Sequence, residues 1–245
     1  MTIPTAPTRR VEHVMGLPIS LALRGRNAEG PAADIAWRAV LYSLRAADHV
    51  FSTYRADSVV SRLNRGEIAL DDAPTEVHEV LAIAERARRA TDGAFSVWRD
   101  GTLDPSGVVK GWAVQRASAA LRDLPDTDVC LAAGGDLVAW SAHEPWRIGI
   151  EDPRDPTGLI ATVPVTDGAV ASSGTAHRGT HLVDARTGAA PAGIAGVTVL
   201  AASLTDADVD ATAAYALGPD ALTWLRRRVG RTGLVVWADG TTATF

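Results

Sequence analysis

Two oxygen-bearing side chains one helical turn apart are the first residues whose spacing could support chemistry. Asp208 and Thr212 lie in the segment TDADVDAT, residues 205–212. If this segment is a helix, both side chains share one face, where a carboxylate and a hydroxyl can bind one hard cation such as Mg²⁺. The same segment could equally be an ordinary helix start, with Asp206 as the N-cap and the other carboxylates complementing the helix dipole. Spacing alone leaves both interpretations open, and it places Asp210 on another face of the helix.

A second candidate combines a carboxylate, a glycine-containing turn and a lysine. It runs over residues 103–111 with the sequence LDPSGVVKG, and Lys110 comes directly before a predicted helix. The free N–H groups of a helix N-terminus favour a phosphate and a lysine adds a point charge, so this segment could bind an anion. A simple capped turn is at least as common.

Two further segments could contact a ligand through an aromatic ring or through a closely approaching backbone. Residues 51–64 place several hydroxyl groups around Tyr54, which could stack on a planar ring, although the hydroxyls could also simply cap and turn the chain. The sequence GGD at residues 134–136 directly follows the apolar run 129–133. Glycines at a strand end let a backbone approach a ligand, and they serve equally in an ordinary turn.

The last candidate is the block ASSG at residues 171–174 followed by HLVDARTG at residues 181–188. It holds a histidine, an aspartate and an arginine within one predicted hairpin. His181 could act as an acid, a base or a hydrogen-bonding anchor. A structural role is the more common one for a single histidine, so this block alone does not assign a function.

Composition narrows the class of protein. The chain has 245 residues with 47% hydrophobic content, enough for one compact domain, which we predict over residues 11–245 behind a disordered extension at residues 1–10. Its 24 basic and 29 acidic side chains give a net charge of −5, which argues against nucleic acid as a partner. Cys130 is the only cysteine, which excludes an intramolecular disulfide and a cysteine-based zinc cluster.

Hydropathy along the chain argues against a membrane protein. The sequence has no run of about 18 apolar residues, so no membrane span is predicted. The N-terminal segment lacks both an apolar stretch of signal-peptide length and a cysteine for lipid attachment, which predicts a cytoplasmic location.

Helices and short strands in alternating blocks must position these residues. Apolar residues recur with helical spacing over residues 34–48, 75–90, 206–217 and 221–229, and a further helix is predicted from about 111 to 121. Runs of β-favouring residues between glycine, proline and aspartate turns predict strands at residues 13–24, 129–133, 146–150, 160–165, 170–172, 197–201, 233–237 and 241–245. Helices and antiparallel or mixed strands in this arrangement predict the α+β class.

Taken together and in this order, the segments resemble the ApbE family of FAD:protein FMN transferases. The motifs that carry the resemblance are FSTYRADSVVSRLN, TDGAF, the turn from Asp104 to Lys110 and Gly111, AGGD, the SSG and HLVDARTG block, and DVDAT. They cover most of the chain, and several weak motifs in the family's order are specific together. The resemblance implies an α+β core of the tunnelling-fold kind, with helices packed on a mixed or antiparallel sheet and FAD in a cleft.

The resemblance also implies a role for each matched residue. The implied FAD contacts are Met15, Tyr54, Ala94, Phe95, Ser96, Asp104, Lys110, Gly134, Gly135, Asp136 and Val183. The implied Mg²⁺ ligands are Asp208, Thr212 and the backbone carbonyls of Gly107 and Ala211. His181, held by Asp184, is the candidate for positioning the acceptor or handling its proton, and Lys110 would neutralise phosphate charge.

The implied reaction moves the FMN half of FAD onto a threonine or serine hydroxyl of an acceptor flavoprotein, with Mg²⁺ as cofactor and AMP as leaving group. Two alternatives stay open at this point. With water as the acceptor, the same site would be a Mg²⁺-dependent FAD pyrophosphatase that releases FMN and AMP. Without chemistry, the chain would be a flavin-binding protein that stores or delivers FAD.

Overall fold

The computed structural model describes residues 6–174 and 182–245. Within that part of the chain the helices are α1 (Pro31–Phe51), α2 (Val59–Asn64), α3 (Thr75–Ala90), α4 (Ser106–Ser118), α5 (Leu204–Leu217) and α6 (Ala221–Leu225). The strands are β1 (Thr8–Val14), β2 (Leu17–Gly25), β3 (Trp98–Arg99), β4 (Thr102–Leu103), β5 (Thr127–Ala133), β6 (Asp136–Trp140), β7 (Trp146–Asp152), β8 (Asp155–Val165), β9 (Asp167–Gly174), β10 (Ile194–Ala201), β11 (Thr232–Trp237) and β12 (Thr242–Thr244).

One large sheet organises these elements. Its strands follow the order β1-β2-β5-β6-β9-β10-β11-β12, and every neighbouring pair is antiparallel. Two small hairpins, β3–β4 and β7–β8, lie outside it. The predicted α+β class is therefore confirmed, with an antiparallel sheet.

The two faces of the sheet are covered differently because side chains alternate along each strand. On β2, Leu21 and Leu23 belong to the main core, which includes buried residues of α1, α3, α4 and α5, whereas Ala22 belongs to a smaller cluster with Trp146 and Val165. The helices thus cover one face, and the β7–β8 hairpin covers the other. Helix α5 contacts α4 on one side and β9 and β10 on the other.

The N-terminal part of the chain corrects two predictions. Residues 13–24 are not one strand, because Met15 and Gly16 form a turn with φ values of 58° and 70° between β1 and β2. Residues 8–10, predicted to be disordered, form the start of β1 and pair with residues 21–23 of β2. Arg10 is also tied to α1 by an ion pair with Asp34 at 2.6 Å. Pairing across the sheet, which local composition does not reveal, orders these residues.

Two further predictions are corrected near the candidate motifs. Helix α4 begins at Ser106 rather than near Gly111, so the predicted turn is the first turn of the helix, and Pro105 lies at its N-cap where no backbone donor is needed. Residues 182–188 form an irregular segment and a turn rather than one arm of a hairpin. By contrast, α3 has the predicted bounds. In the part of the chain that the structure describes, no helix is long and apolar enough to cross a membrane.

Candidate active site between helices α4 and α5

Helices α4 and α5 approach each other closely through two glycines. A Cβ atom on Gly111 would lie 2.6 Å from the Cβ of Asp208, and one on Gly107 would lie 3.5 Å from the Cγ2 of Thr212. Gly107 faces Thr212 and Gly111 faces Asp208, so the two helices are antiparallel. The two glycines are four residues apart, as are the two predicted metal ligands. Only small residues at the two α4 positions permit this separation.

Asp208 is buried and bonded at both carboxylate oxygens. Its Oδ2 accepts the backbone N–H of Gly111 at 2.7 Å, and its Oδ1 accepts the Lys110 ammonium at 2.6 Å. In a regular α-helix, the Gly111 N–H would serve the carbonyl of Gly107 alone. Because the Gly111 N–H also donates to Asp208, its hydrogen bond to the Gly107 carbonyl is at most one arm of a three-centre bond. The Gly107 carbonyl is therefore only weakly engaged within the helix, which favours its predicted role as a metal ligand.

Thr212 and Asp136 connect the helix pair to the sheet. The Thr212 hydroxyl lies 3.1 Å from the hydroxyl of Ser173 on β9. Asp136, the first residue of β6, accepts the backbone N–H of Ser172 on its Oδ1 at 3.0 Å, and its Oδ2 forms an ion pair with Lys110. Ser173 was missed as a site residue, although strand alternation places it on the helix-facing side together with Ala171.

A cleft of about 1360 Å³ opens beside these residues. The predicted ligand contacts among its lining residues are Met15, Tyr54, Phe95, Ser96, Asp104, Lys110 and Val183, and the predicted metal ligands Gly107 and Thr212 also line it. Tyr54 is 99% exposed, so that its ring is open to a ligand. Two other polar residues of its segment have structural roles: Ser58 caps α2, and Asn64 binds the backbone of Leu103 through both ends of its amide.

A second cavity of about 190 Å³ adjoins the first. It is lined by Gly134, Gly135, Asp136 and Asp208 and extends to β7 on the far side of the sheet. Both cavities share Ser106, Gly107, Lys110, Leu182 and Thr212. The α4–α5 contact therefore lies at the junction of the two cavities.

Some predicted residues are placed differently. Ala94 and Ala211 are fully buried and line neither cavity, although the Ala94 carbonyl accepts the N–H of Ala185 at 2.9 Å in the cleft wall. The carboxylate of Asp184 binds the Arg186 guanidinium, with an oxygen–nitrogen distance of 2.7 Å, and this hydrogen-bonded partner lowers the pKa of Asp184 below its usual 3.8. His181, its predicted partner, lies outside the described residues.

The β3–β4 hairpin adds cleft residues that the sequence analysis missed. Trp98, Arg99 and Asp100 line the cleft, and the Trp98 side chain is partly exposed. Asp100 and Gly101 both have positive φ, of 50° and 77°, as in a tight hairpin turn. The Asp-Gly pair was a signal for this hairpin, but two-residue strands are too short to show alternation.

The donor set fits a small, hard cation. Within residues 6–174 and 182–245, no group of three or more His, Cys, Asp or Glu side chains is arranged to hold a metal ion, so a site must combine different oxygen donors. The Asp208 carboxylate, the Thr212 hydroxyl and the Gly107 carbonyl are oxygen donors of the kinds that Mg²⁺ accepts while keeping several waters. The Asp208 side chain is 2% exposed, and Lys110 compensates the charge of this buried carboxylate in the structure.

Fold and site together define an α+β protein with a large cleft, beside which buried carboxylates, a hydroxyl and a lysine meet where two closely packed helices contact the sheet. The ApbE family matches at residues 15–102 and 97–235. The chain therefore belongs to the ApbE family.

Solved structures show the same architecture. The ApbE protein of Thermotoga maritima has a TM-score of 0.83 at 21% identity, covering 97% of this chain and 96% of its own. The apo flavinyl transferase ApbE of Pseudomonas stutzeri has a TM-score of 0.80 at 25% identity, covering 98% and 94%. The flavin transferase ApbE of Vibrio cholerae has a TM-score of 0.82 at 20% identity, covering 99% and 97%. The predicted ApbE architecture is confirmed.

A curated relative, the FAD:protein FMN transferase of Rhodobacter capsulatus, is 29% identical over 185 residues, which are 71% of this chain. The match spans 32% of the length of that relative.

Proposed function

We propose that the protein transfers the FMN half of FAD to a threonine or serine hydroxyl of an acceptor flavoprotein and releases AMP, with Mg²⁺ as cofactor. The observation that carries the proposal is the meeting of Lys110, Asp208, Thr212 and the Gly107 turn at the junction of two cavities. A dinucleotide has two halves joined by a pyrophosphate. The junction of the two cavities supplies a positive charge and oxygen donors at the place where a pyrophosphate would lie if each cavity held one half. The names of the Rhodobacter and Pseudomonas relatives support the same activity.

The large cleft suits the flavin half of FAD. Tyr54 offers an exposed aromatic face, and Met15 and Phe95 add apolar surface in the same lining. The glycine turn at residues 134–136 borders the smaller cavity, which we assign to the adenosine-phosphate half. In this placement the pyrophosphate lies beside Lys110.

In the reaction, the acceptor hydroxyl attacks the phosphorus on the FMN side, the anhydride P–O bond breaks, and AMP leaves with the bonding electron pair. Lys110 stabilises negative charge on the phosphate oxygens, and His181 remains the proposed acceptor of the hydroxyl proton. Asp208, Thr212 and the Gly107 carbonyl would hold Mg²⁺, which when bound neutralises charge on the pyrophosphate. The flavin ring is transferred unchanged, without a redox step.

The expected partners follow from this reaction. They are FAD and an acceptor flavoprotein, and the acidic net charge of −5 argues against nucleic acid. A cytoplasmic location remains part of the proposal.

The test follows both products at once. The protein is incubated with FAD, Mg²⁺ and an acceptor flavoprotein that another family member labels on threonine, while AMP release and in-gel flavin fluorescence are measured. Transfer predicts one AMP per covalently attached flavin and little AMP without the acceptor. AMP and FMN released regardless of acceptor would instead indicate a pyrophosphatase, and bound but intact FAD would indicate a flavin-binding protein.

The matched variants are Asp208→Asn and Asp206→Asn, which remove one carboxylate charge each from α5. Asp208→Asn should reduce transfer by at least about a hundredfold, because a lost metal ligand removes charge stabilisation at the pyrophosphate. Asp206→Asn should retain transfer, since the Asp206 side chain is 53% exposed and pairs with Arg231 away from the cleft.

Asp210 would be a poor control, although its position on another helix face suggested it. Its side chain is 2% exposed and binds Arg228 at 2.9 Å and Arg231 at 2.8 Å. Replacing it would leave these arginines without their buried partner and destabilise the fold.

A further inference from the structure

Lys110 is the only lysine of the chain, beside 23 arginines. Apart from Lys110, every side chain that is permanently positive near neutral pH is therefore an arginine guanidinium. An ammonium is compact and directs three donors from one atom, whereas a guanidinium is planar and suits bidentate contacts. The single lysine occupies the one described position at which a cation lies between two buried carboxylates.

Both carboxylates contact one backbone N–H and the Lys110 ammonium, which is hydrogen-bonded to Asp208 and ion-paired with Asp136. Each has one oxygen fixed by a backbone N–H, from Ser172 to Asp136 and from Gly111 to Asp208. The remaining oxygen of each carboxylate, Oδ2 of Asp136 and Oδ1 of Asp208, contacts the Lys110 ammonium. The side chains of both aspartates are 3% exposed or less, and that of Lys110 is 19% exposed.

The Oδ1 atom of Asp208 cannot serve two cations equally well. In the proposed function Asp208 is a ligand of a divalent cation, yet in this structure the same carboxylate is neutralised by Lys110. Two positive charges on one carboxylate repel each other strongly in a buried site. Lys110 must therefore move away from Asp208 when the divalent cation binds.

We propose that Asp136 is a positioning residue that retains the Lys110 ammonium when Asp208 exchanges this ammonium for the divalent cation. Lys110 is then the resident counter-ion of both carboxylates, and after the exchange it stays in the wall shared by the two cavities, held by Asp136 alone. This inference rests on the proposed role of Asp208 and adds a role for Asp136 that does not require contact with FAD.

The sole lysine makes a direct measurement possible. Protein labelled with ¹⁵N-lysine gives one side-chain ammonium NMR signal, and its proton exchange with water reports whether the ammonium is held. Without FAD, Mg²⁺ should shift this signal in the wild type while proton exchange stays slow. The same addition should leave the signal of Asp208→Asn unchanged.

Asp136→Asn provides the decisive comparison. Without Mg²⁺ its Lys110 signal should persist, because Asp208 still holds the ammonium. With Mg²⁺ proton exchange should accelerate at least about tenfold, since no charged acceptor remains. Exchange as slow as in the wild type would show that Asp136 does not hold Lys110 and would overturn the proposal.

Calorimetry with Mg²⁺ alone tests the competition independently. Lys110→Met should bind Mg²⁺ about tenfold more tightly than the wild type, because the competing ammonium is absent. Equal or weaker binding would contradict the exchange. If Mg²⁺ binds the wild type but the lysine signal does not move, this inference fails while the cation site stands. If the wild type binds no Mg²⁺, the inference and the metal site of the proposed function both fail.

Discussion

At the scale of single residues, the candidate site combines an exposed aromatic side chain with buried carboxylates. Tyr54 is 99% exposed in the cleft. Asp208 is buried and accepts hydrogen bonds on both carboxylate oxygens, and Asp136 is buried, with one oxygen hydrogen-bonded to a backbone N–H and the other ion-paired with Lys110. An exposed aromatic ring contributes little to the free energy of folding and is available to stack on a planar ligand. A buried carboxylate affects both function and stability, because removing its cationic partner leaves an uncompensated charge inside the protein and destabilises the fold.

Tyr54→Ala should therefore weaken FAD binding without changing stability. We expect the Kd for FAD to rise by roughly tenfold, from the lost stacking, and the Tm of the ligand-free protein to stay within about 2 °C. Fluorescence titration with FAD and a thermal melt measure the two quantities. Tyr42→Ala is the control, since Tyr42 is 77% exposed on α1 and does not line the cleft. Equal Kd values for both variants and the wild type would exclude Tyr54 from the flavin site.

Cys130 should be nearly inert in the folded protein. Burial raises the pKa of its thiol from 9.0 to about 11, only partly offset by the charges of Arg9 and Arg24. The thiolate is the reactive form, and at pH 8 its fraction falls about a hundredfold for such a shift. Alkylation by iodoacetamide at pH 8 should be at least tenfold slower than in urea, and should accelerate only as the pH approaches 11. Equally fast alkylation of the native protein would contradict this burial.

At the scale of elements, the antiparallel α4–α5 pair determines the geometry of the site. The glycines of α4 bring its backbone against α5, so that a main-chain N–H reaches the Asp208 carboxylate and Lys110 reaches it from the same turn. Packing against β9 and β10 holds α5 from the other side. The spacing of the oxygen donors thus depends on the distance between two helices, which a single methyl group can change.

Gly111→Ala should be more damaging than Gly107→Ala. A Cβ on Gly111 would lie 2.6 Å from Asp208 Cβ and 2.7 Å from the Leu204 carbonyl oxygen, whereas one on Gly107 meets nothing closer than 3.3 Å. We expect Gly111→Ala to lower the free energy of unfolding by at least about 2 kcal/mol, and Gly107→Ala by less than about 1 kcal/mol because alanine favours the helix. Urea denaturation measures both values. A loss for Gly111→Ala as small as that expected for Gly107→Ala would mean that the helices can separate at little cost and would contradict the prediction.

At the scale of the whole molecule, the sheet and its coverings create two connected cavities. The helices cover one face and the β7–β8 hairpin the other, and the smaller cavity reaches from the α4–α5 contact to β7. A ligand that fills both cavities contacts elements from most of the chain, from Met15 to Val236. Binding should therefore stabilise the entire fold rather than one loop.

FAD at about 100 times its Kd should raise the Tm by about 5 °C or more, because this ligand excess stabilises the native state by about 2.7 kcal/mol. Mg²⁺ should add to this effect in the wild type and not in Asp208→Asn. AMP or FMN alone at the same concentration should give smaller shifts. Differential scanning calorimetry at fixed protein concentration measures these shifts. An unchanged Tm with saturating FAD and Mg²⁺ would exclude a dinucleotide site in the two cavities.

Several features of the protein follow from its sequence alone, because they depend on local spacing. The amphipathic pattern of α3 gives its bounds, and a four-residue spacing puts Asp208 and Thr212 on one helical face. The order of the weak motifs indicated the ApbE family, which the family match confirms.

Tertiary structure decided what depends on contacts between distant segments. The pairing of β1 with β2 orders residues 8–10, and the burial of Asp210 against arginines near α6 removes it as a simple control. No local pattern could show that Lys110 lies between Asp136 and Asp208, which are 26 and 98 positions away in the chain. Such contacts form only when the sheet and the helices pack together. The number of residues between two charged side chains does not indicate how far apart they lie in the folded protein.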